Sequence, residues 1–326
     1  MQLIEGVHAL RKCHRGCVAT IGNFDGVHLG HREMIREVIR QAGRHGGASC
    51  VVIFEPLPGE VMDAGGRLLC IQSIEEKLEA LQHLGVDQVL QLTFDDELMG
   101  CPQEQFVRQV LVEGLGVRHL IVGDDFRFGC ERAGSFATLV AAGAQYGFSV
   151  AETPTVSAGG ERVSSTRIRG LLEQSQFGRA RALLGRAFVV SGTVVKGRQL
   201  GRRLGVPTAN LPWAGRCLPA DGVYAVRVHG LERLYGGVAN VGPRPTIALG
   251  DRQLEVHLFD FCGDLYGRTL AVEFVDRMRG QRQFESLQGL SDAIANDIKS
   301  ARRCLKNQLP SGGGQACILP SAEYET

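Results

Sequence analysis

The chain has almost no net charge, no long apolar run and no paired cysteine motif, and each absence removes a class of function. Its 326 residues carry 36 Lys+Arg against 35 Asp+Glu, a formal charge of +1. No strong field therefore steers it toward nucleic acid or an anionic membrane surface. No uninterrupted apolar stretch approaches the roughly 18 residues of a membrane helix, and no basic-then-apolar leader follows Met1. A soluble cytoplasmic protein is expected, a monomer or weak homo-oligomer without nucleic-acid or membrane partners. Ten cysteines are present, but none has C-x-x-C spacing, and neighbourhoods such as Ser49-Cys50-Val51 and Leu69-Cys70-Ile71 point to buried free thiols. Cys13, His14 and Cys17 lie close together, yet no second ligand pair follows at zinc-finger spacing. No internal repeat is visible.

The length allows two ordinary domains, and 44% apolar residues supply two cores. From Cys17 to about Leu184, short apolar runs alternate with helical patterns, the mark of a Rossmann-like α/β domain with a parallel sheet covered by helices. Strands are expected at Cys17 to Ile21, Cys50 to Phe54, Gln88 to Leu92, His119 to Val122 and Phe148 to Ala151. Ser73 with Glu76 forms a capping box for a helix stopping near Gly85. Another helix starts near Pro102, with Phe106, Val107, Val110 and Leu111 on one face.

After Gly185 the texture becomes β-rich, with strands expected at Phe188 to Val195, Gly222 to Val228, Tyr235 to Val241, Leu254 to Phe261 and Thr269 to Val275. This reads as a small antiparallel barrel closed by a helix from about Leu287 through Ile294, Ile298 and Leu305. The expected domains are 1–184 and 185–308. A tail, 309–326, opens with Pro310-Ser311-Gly312-Gly313-Gly314; it is expected to be disordered and has no assigned role.

Five segments carry chemistry. Gly22-Asn23-Phe24-Asp25-Gly26-Val27-His28-Leu29-Gly30-His31 lies between a strand and an amphipathic helix. Free amides, the helix dipole and close approach through glycine favour an anion there. Ser164-Ser165-Thr166-Arg167-Ile168-Arg169 puts hydroxyls at a helix start and guanidinium groups in its first turn, an arrangement that opposes the dipole unless an anion binds. Gly123-Asp124-Asp125-Phe126-Arg127-Phe128-Gly129 follows another strand, so this loop and the His28–His31 loop should converge. In the second half, Gly197 to Asn210 is a glycine-rich basic loop ending in Pro207-Thr208-Ala209-Asn210. In Leu254 to Phe261, Glu255, His257 and Phe259 share one face of a strand.

H-x-G-H resembles the signature of the nucleotidyltransferase superfamily. The longer ten-residue run, with S-S-T-x-I-R, Phe54-Glu55-Pro56 and G-x-D-F-x-F-G, resembles the adenylyltransferase half of bacterial bifunctional riboflavin kinase/FAD synthetases. The resemblance implies that His28, His31, Asn23, Gly26, Gly30, Ser165, Thr166 and Arg169 hold the ATP phosphates. Asp125 and Phe126 or Phe128 would line the FMN. The loop G-x-x-L-G-R-x-L-G-x-P-T-A-N, with Gly201 and Gly205, is similar to the kinase half of that family. So are Gly236 to Gly242, which includes Asn240, and the E-x-H strand. The kinase resemblance implies Mg²⁺ on Thr208 and Asn210 and Glu255 as base toward the riboflavin hydroxyl. Riboflavin would become FMN in the second half, and FMN would become FAD in the first, each with ATP.

One position departs from the family's R-x-E-x-x-F: Arg279-Gly280-Gln281 places a neutral amide where a carboxylate is usual. Two rivals follow, an enzyme whose kinase is impaired at Gln281 and a flavin-binding regulator without catalysis; intact Glu255 and His28 argue against the second.

Overall fold

Strands covered on both faces read as near-continuous apolar runs, and Val18 to Ile21 and Ser49 to Ile53 are buried without interruption. The structure, a computed structural model, describes residues 1–62, 69–197, 201, 205–212, 216–217, 219–243 and 252–308. Arg198, Arg202 and Arg203 of the basic loop and the tail 309–326 lie outside the described residues. The chain forms two compact units, Met1–Ser165 and Thr166–Thr326.

The first unit runs β1 (Gln2–Glu5), β2 (Val18–Ile21), α1 (Leu29–His45), β3 (Ser49–Glu55), α2 (Pro58–Met62), α3 (Ile74–His83) and β4 (Gln88–Thr93). Next come α4 (Asp96–Met99), α5 (Gln103–Phe106), β5 (His119–Gly123), α6 (Phe136–Tyr146), β6 (Ser149–Thr153) and a small hairpin, β7 (Ser157–Ala158) with β8 (Glu161–Arg162). β1 to β6 form one sheet in the order β1-β4-β3-β2-β5-β6, parallel throughout. Ile21, Val52, Leu90 and Leu120 pack with Phe106, Leu111 and Leu139 in one core cluster, while Val51, Ile53 and Val89 pack with Ile35, Leu78 and Leu81 in another. The α/β expectation is met, and the Ser73–Glu76 box caps α3 in both directions. The helix expected from Pro102 begins as α5 but widens to a π-helix over Val107–Gly114. β1 was missed; it is a four-residue edge strand in which only Ile4 is buried, too short for a pattern.

The second unit follows with α7 (Ser165–Glu173), α8 (Phe177–Leu184), β9 (Val189–Thr193), β10 (Ala209–Leu211), β11 (Gly222–His229), β12 (Tyr235–Pro243), β13 (Arg252–Leu258), β14 (Thr269–Gly280) and α9 (Leu287–Asn307). Its strands pair antiparallel in the order β10-β13-β12-β11-β14-β9. A Val195–Asn210 bridge, with the Val195 amide donating to the Asn210 carbonyl at 2.9 Å, joins the two ends into a nearly closed barrel. α9 covers part of one face, setting Ile298, Ala301 and Leu305 against Val223, Ala225, Val238 and Phe259. α8 clusters with the barrel because Phe177 joins Tyr224 and Phe274, with ring centroids 5.8 and 5.6 Å away. Compact packing therefore divides the chain ahead of the change in sequence texture at 184. No helix among the described residues is long and apolar enough to cross a membrane.

Arg227 and Glu273, on adjacent strands, form a buried pair at 2.8 Å, and His229 reaches the second Glu273 oxygen at 3.1 Å. Burial pushes the Glu273 carboxyl up, but His229 and Arg227 outweigh it and hold the group below its usual range. Removing one partner strands the other charge. Glu273→Ala is therefore expected to destabilise the barrel by about 3–5 kcal/mol, measured by denaturant unfolding of the full chain.

Candidate active sites

The turn after β2 is strained and buried. Phe24, Gly26 and Val27 take φ of 47°, 84° and 37°, a region that a β-branched residue such as valine rarely adopts. Phe24 and Val27 are anchored in the core beside Ile35 and Leu78, so packing holds a turn that the local chain disfavours. The turn delivers His28 as the N-cap of α1, its Nδ1 accepting from the His31 amide at 3.3 Å. The two imidazoles stack with centroids 3.5 Å apart. A Cβ at Gly30 would lie 3.3 Å from the His28 ring, which explains glycine between the histidines. His31 Nδ1 is buried without a hydrogen-bond partner among the described residues. Burial, then His28 and Lys77, push the His31 pKa well below its usual value.

The Asp25 carboxylate accepts from the Ile71 amide at 2.8 Å, and its carbonyl accepts from Ser165 Oγ at 2.8 Å. Ser165 is thus brought to the H-x-G-H turn. Asn23 is exposed at the rim. Thr166, exposed, and Arg169, half-buried, lie on α7 in the second unit. β2 and β5 are neighbours with Thr20 paired to Ile121, so both of their loops leave the carboxyl edge where the strand order reverses, the usual ligand crevice of such sheets. In the β5 loop, Phe128 belongs to the core, whereas half-buried Phe126 stacks on it at 5.7 Å. Asp125 is exposed and its carboxylate is held by Arg162 at 2.8 Å, a partner that sequence reasoning did not supply.

Lys77 was also missed. It is 1% exposed, with Nζ 4.0 Å from Glu55. Burial lowers its pKa, against the opposing pull of Glu55 and Asp25. The signal was present in the sequence: Ile74, Lys77, Leu78 and Leu81 recur at helical spacing, placing a lysine on the buried stripe.

In the barrel, Asn210 pairs with Glu255, and Glu255 with Asn240, across β10, β13 and β12. Directly opposed residues point to the same side of a sheet, so the three form a transverse row. Gln253, Glu255 and His257 are half-buried, while Leu254, Val256 and Leu258 face the interior. Phe259 follows on the outer side but is buried beneath α9. His257 Nδ1 bonds the Pro207 carbonyl at 2.9 Å, tying P-T-A-N to the strand. Gln253 donates its amide to Asn210 Oδ1. A Cβ at Gly201 would lie 2.4 Å from the Val206 carbonyl and 3.4 Å from Thr208 Oγ1, and one at Gly197 would lie 2.4 Å from Asn210 Nδ2. Gly205 takes φ of 76°, and no described residue lies within 4 Å of where its Cβ would stand. Among the described residues no group of three His, Cys, Asp or Glu could hold a metal.

The FAD synthetase family model matches residues 10–167 and the riboflavin kinase family model residues 184–305. A bifunctional riboflavin kinase/FMN adenylyltransferase of Pseudomonas fluorescens is 47% identical over 306 residues, covering 93% of this chain and 97% of its own. The protein so named in Escherichia coli K12 is 43% identical over 304 residues, with the same two coverages. A solved structure titled a macrolide-efflux protein from Streptococcus pneumoniae superposes with a TM-score of 0.80 at 28% identity, covering 93% of this chain and 99% of that one. Both family models in this order, together with that identity along the full relatives, establish that the chain belongs to the bifunctional riboflavin kinase/FMN adenylyltransferases.

Proposed function

We infer that the chain makes FAD in two steps: the barrel half phosphorylates riboflavin with ATP, and the α/β half transfers an adenylyl group from ATP to the FMN, releasing pyrophosphate. The observation that carries the residue-level reading is the row of Asn210, Glu255 and Asn240 on one face of the barrel. It sets a carboxylate between two amides beside the P-T-A-N strand.

In the kinase step, Glu255 takes the proton of the riboflavin 5′-hydroxyl as that oxygen attacks the γ-phosphorus. His257 fixes Pro207 and so the approach of Thr208. Thr208 and Asn210 fit Mg²⁺ by chemistry, a hydroxyl and an amide oxygen in a cradle that side chains at Gly197 and Gly201 would fill. When bound, the ion would neutralise charge on the transferred phosphoryl group. Gly201 and Gly205 let the loop pass close to the nucleotide.

In the adenylyl step, a phosphate oxygen of FMN attacks the α-phosphorus of ATP. A phosphate monoester is already anionic, so positioning and charge neutralisation suffice. His28, His31 and the first amides of α1 face the polyphosphate, with Gly26 and Gly30 permitting close approach and Asn23 and Ser165 at its edge. The motif assigns Thr166 and Arg169 to the same phosphates, and Asp125 and Phe126 to the flavin. An approaching polyphosphate favours the imidazolium of His31, which the folded protein alone disfavours. ATP, riboflavin and FMN are the partners of this reading, in the cytoplasm, for a monomer or weak homo-oligomer.

Glu255→Gln is expected to slow FMN formation by about 10²–10⁴-fold while FAD still forms from supplied FMN. His31→Ala should instead halt the pathway at FMN. Chromatography of riboflavin, FMN and FAD over time reads both; loss of both products in either variant refutes the division of labour.

Because the His31 pKa is depressed on folding, the unfolded chain binds the extra proton below about pH 6.5. Stability should therefore fall as pH drops through that range, and less steeply in His31→Gln; thermal melts between pH 7.5 and 5.5 provide the comparison.

A further inference from the structure

Gln281 stands where the family pattern has a carboxylate, and its surroundings require a donor. Its Nε2 donates to the Val241 main-chain carbonyl at 3.0 Å and to Asn240 Oδ1 at 2.9 Å. A peptide oxygen can only accept, so the Gln281 group facing Val241 must be its NH₂. The Asn240 atom sharing that NH₂ must then be its oxygen. One backbone carbonyl thus orients both amides. The side chain is pressed onto β12: a Cβ at Gly242 would lie 2.4 Å from Gln281 Nε2. Asn240 consequently turns its own NH₂ away from Gln281, and it sits directly across from Glu255 in the β12–β13 register.

We propose that Gln281 is a positioning residue of the kinase site, holding the Asn240 oxygen so that Asn240 presents a hydrogen-bond donor to the anionic groups of phosphoryl transfer. Those groups are the Glu255 carboxylate and the nucleotide phosphates. An ionised glutamate at 281 accepts only, so it would draw the Asn240 NH₂ to itself, leave the Asn240 oxygen toward the anionic groups of the site, and set its own charge against the Val241 carbonyl. The departure from R-x-E is therefore compensated within this chain, not a lesion in it. The proposal rests on the reading of Glu255 as the base. Among the charged groups described at this end of the barrel, Arg279 is engaged by Asp297 at 2.7 Å and lies over the Phe284 ring at 5.7 Å, Arg277 beside Gly280 donates to the Asp221 carbonyl at 2.8 Å, and Arg252, across from Pro243, pairs with the Asp221 carboxylate.

The test measures kinase kcat/KM between pH 4.5 and 8.5, a window that reaches the ordinary glutamate pKa of about 4.3, for the unaltered chain, Gln281→Glu, Gln281→Met, Asn240→Ala and the Gln281→Glu/Asn240→Ala pair. FAD formation from supplied FMN and the thermal melt report folding in every case. At pH 8, Gln281→Glu should lose about three- to tenfold, the scale of one hydrogen bond at an exposed side chain against a half-buried partner. Its ratio to the unaltered chain should recover several-fold on acidification, because a protonated glutamate again donates. Gln281→Met, with nothing to donate, should lose activity at a ratio that stays flat with pH. In the Asn240→Ala background Gln281→Glu should add little. A flat ratio for Gln281→Glu, or an undiminished loss without Asn240, overturns the proposal. If Glu255→Gln retains kinase activity, the base assignment fails instead, so the two failures are distinguishable.

Discussion

Strand register is the constraint on which both sites depend. Side chains alternate across a strand, so a slip of one residue exchanges the two faces of a whole element. In the barrel, the pairing of Asn210 with Glu255 and of Glu255 with Asn240 gathers three polar groups into one row while Leu254 and Val256 fill the interior. Displacing β13 by one residue would bury Glu255 and expose leucine. In the α/β unit, the parallel pairing of β2 with β3 and β5 makes the H-x-G-H turn, the Phe54-Glu55-Pro56 segment and the Asp125 loop leave the sheet at the same edge.

Buried charge is the second organising feature, and it is handled differently in the two units. Arg227 and Glu273 compensate one another at 2.8 Å inside a structural pair. Near the H-x-G-H turn, Lys77 and Glu55 stand 4.0 Å apart, and the adjacent His31 ring holds a buried nitrogen without a hydrogen-bond partner among the described residues. An imidazole that burial holds toward its neutral form gains its proton more readily when a polyanion arrives. The strained backbone at Phe24 and Val27 fits the same pattern, since burial of both side chains holds a turn that the residues would not choose.

Most of the fold was legible because its signals are local. The central strands of the first unit, β2, β3 and β5, are near-continuous apolar runs, the Ser73 capping box lies within four residues, and β13 of the barrel alternates cleanly. What escaped was short or non-local: β1 has a single buried residue, and β10 is three residues at the end of a glycine-rich loop, too few for a strand pattern. The π-helical widening after Phe106 involves a backbone bond from Leu115 to Val110, a spacing that a helical periodicity does not distinguish.

The amino-acid order alone determined the chemistry-bearing residues: paired imidazoles around a glycine, hydroxyls ahead of Arg169, a carboxylate on an alternating strand. Each depends on spacing along the chain, which is fixed covalently. Tertiary structure decided their partners. Arg162 on Asp125, Lys77 beneath the H-x-G-H turn, His257 on Pro207 and Gln281 on Asn240 are contacts between residues 37 or more positions apart, or buried positions that only packing creates. Gln281 illustrates the division most clearly. In sequence it is a lost carboxylate; in the folded barrel, the fixed polarity of one backbone carbonyl makes its NH₂ the group that the position requires.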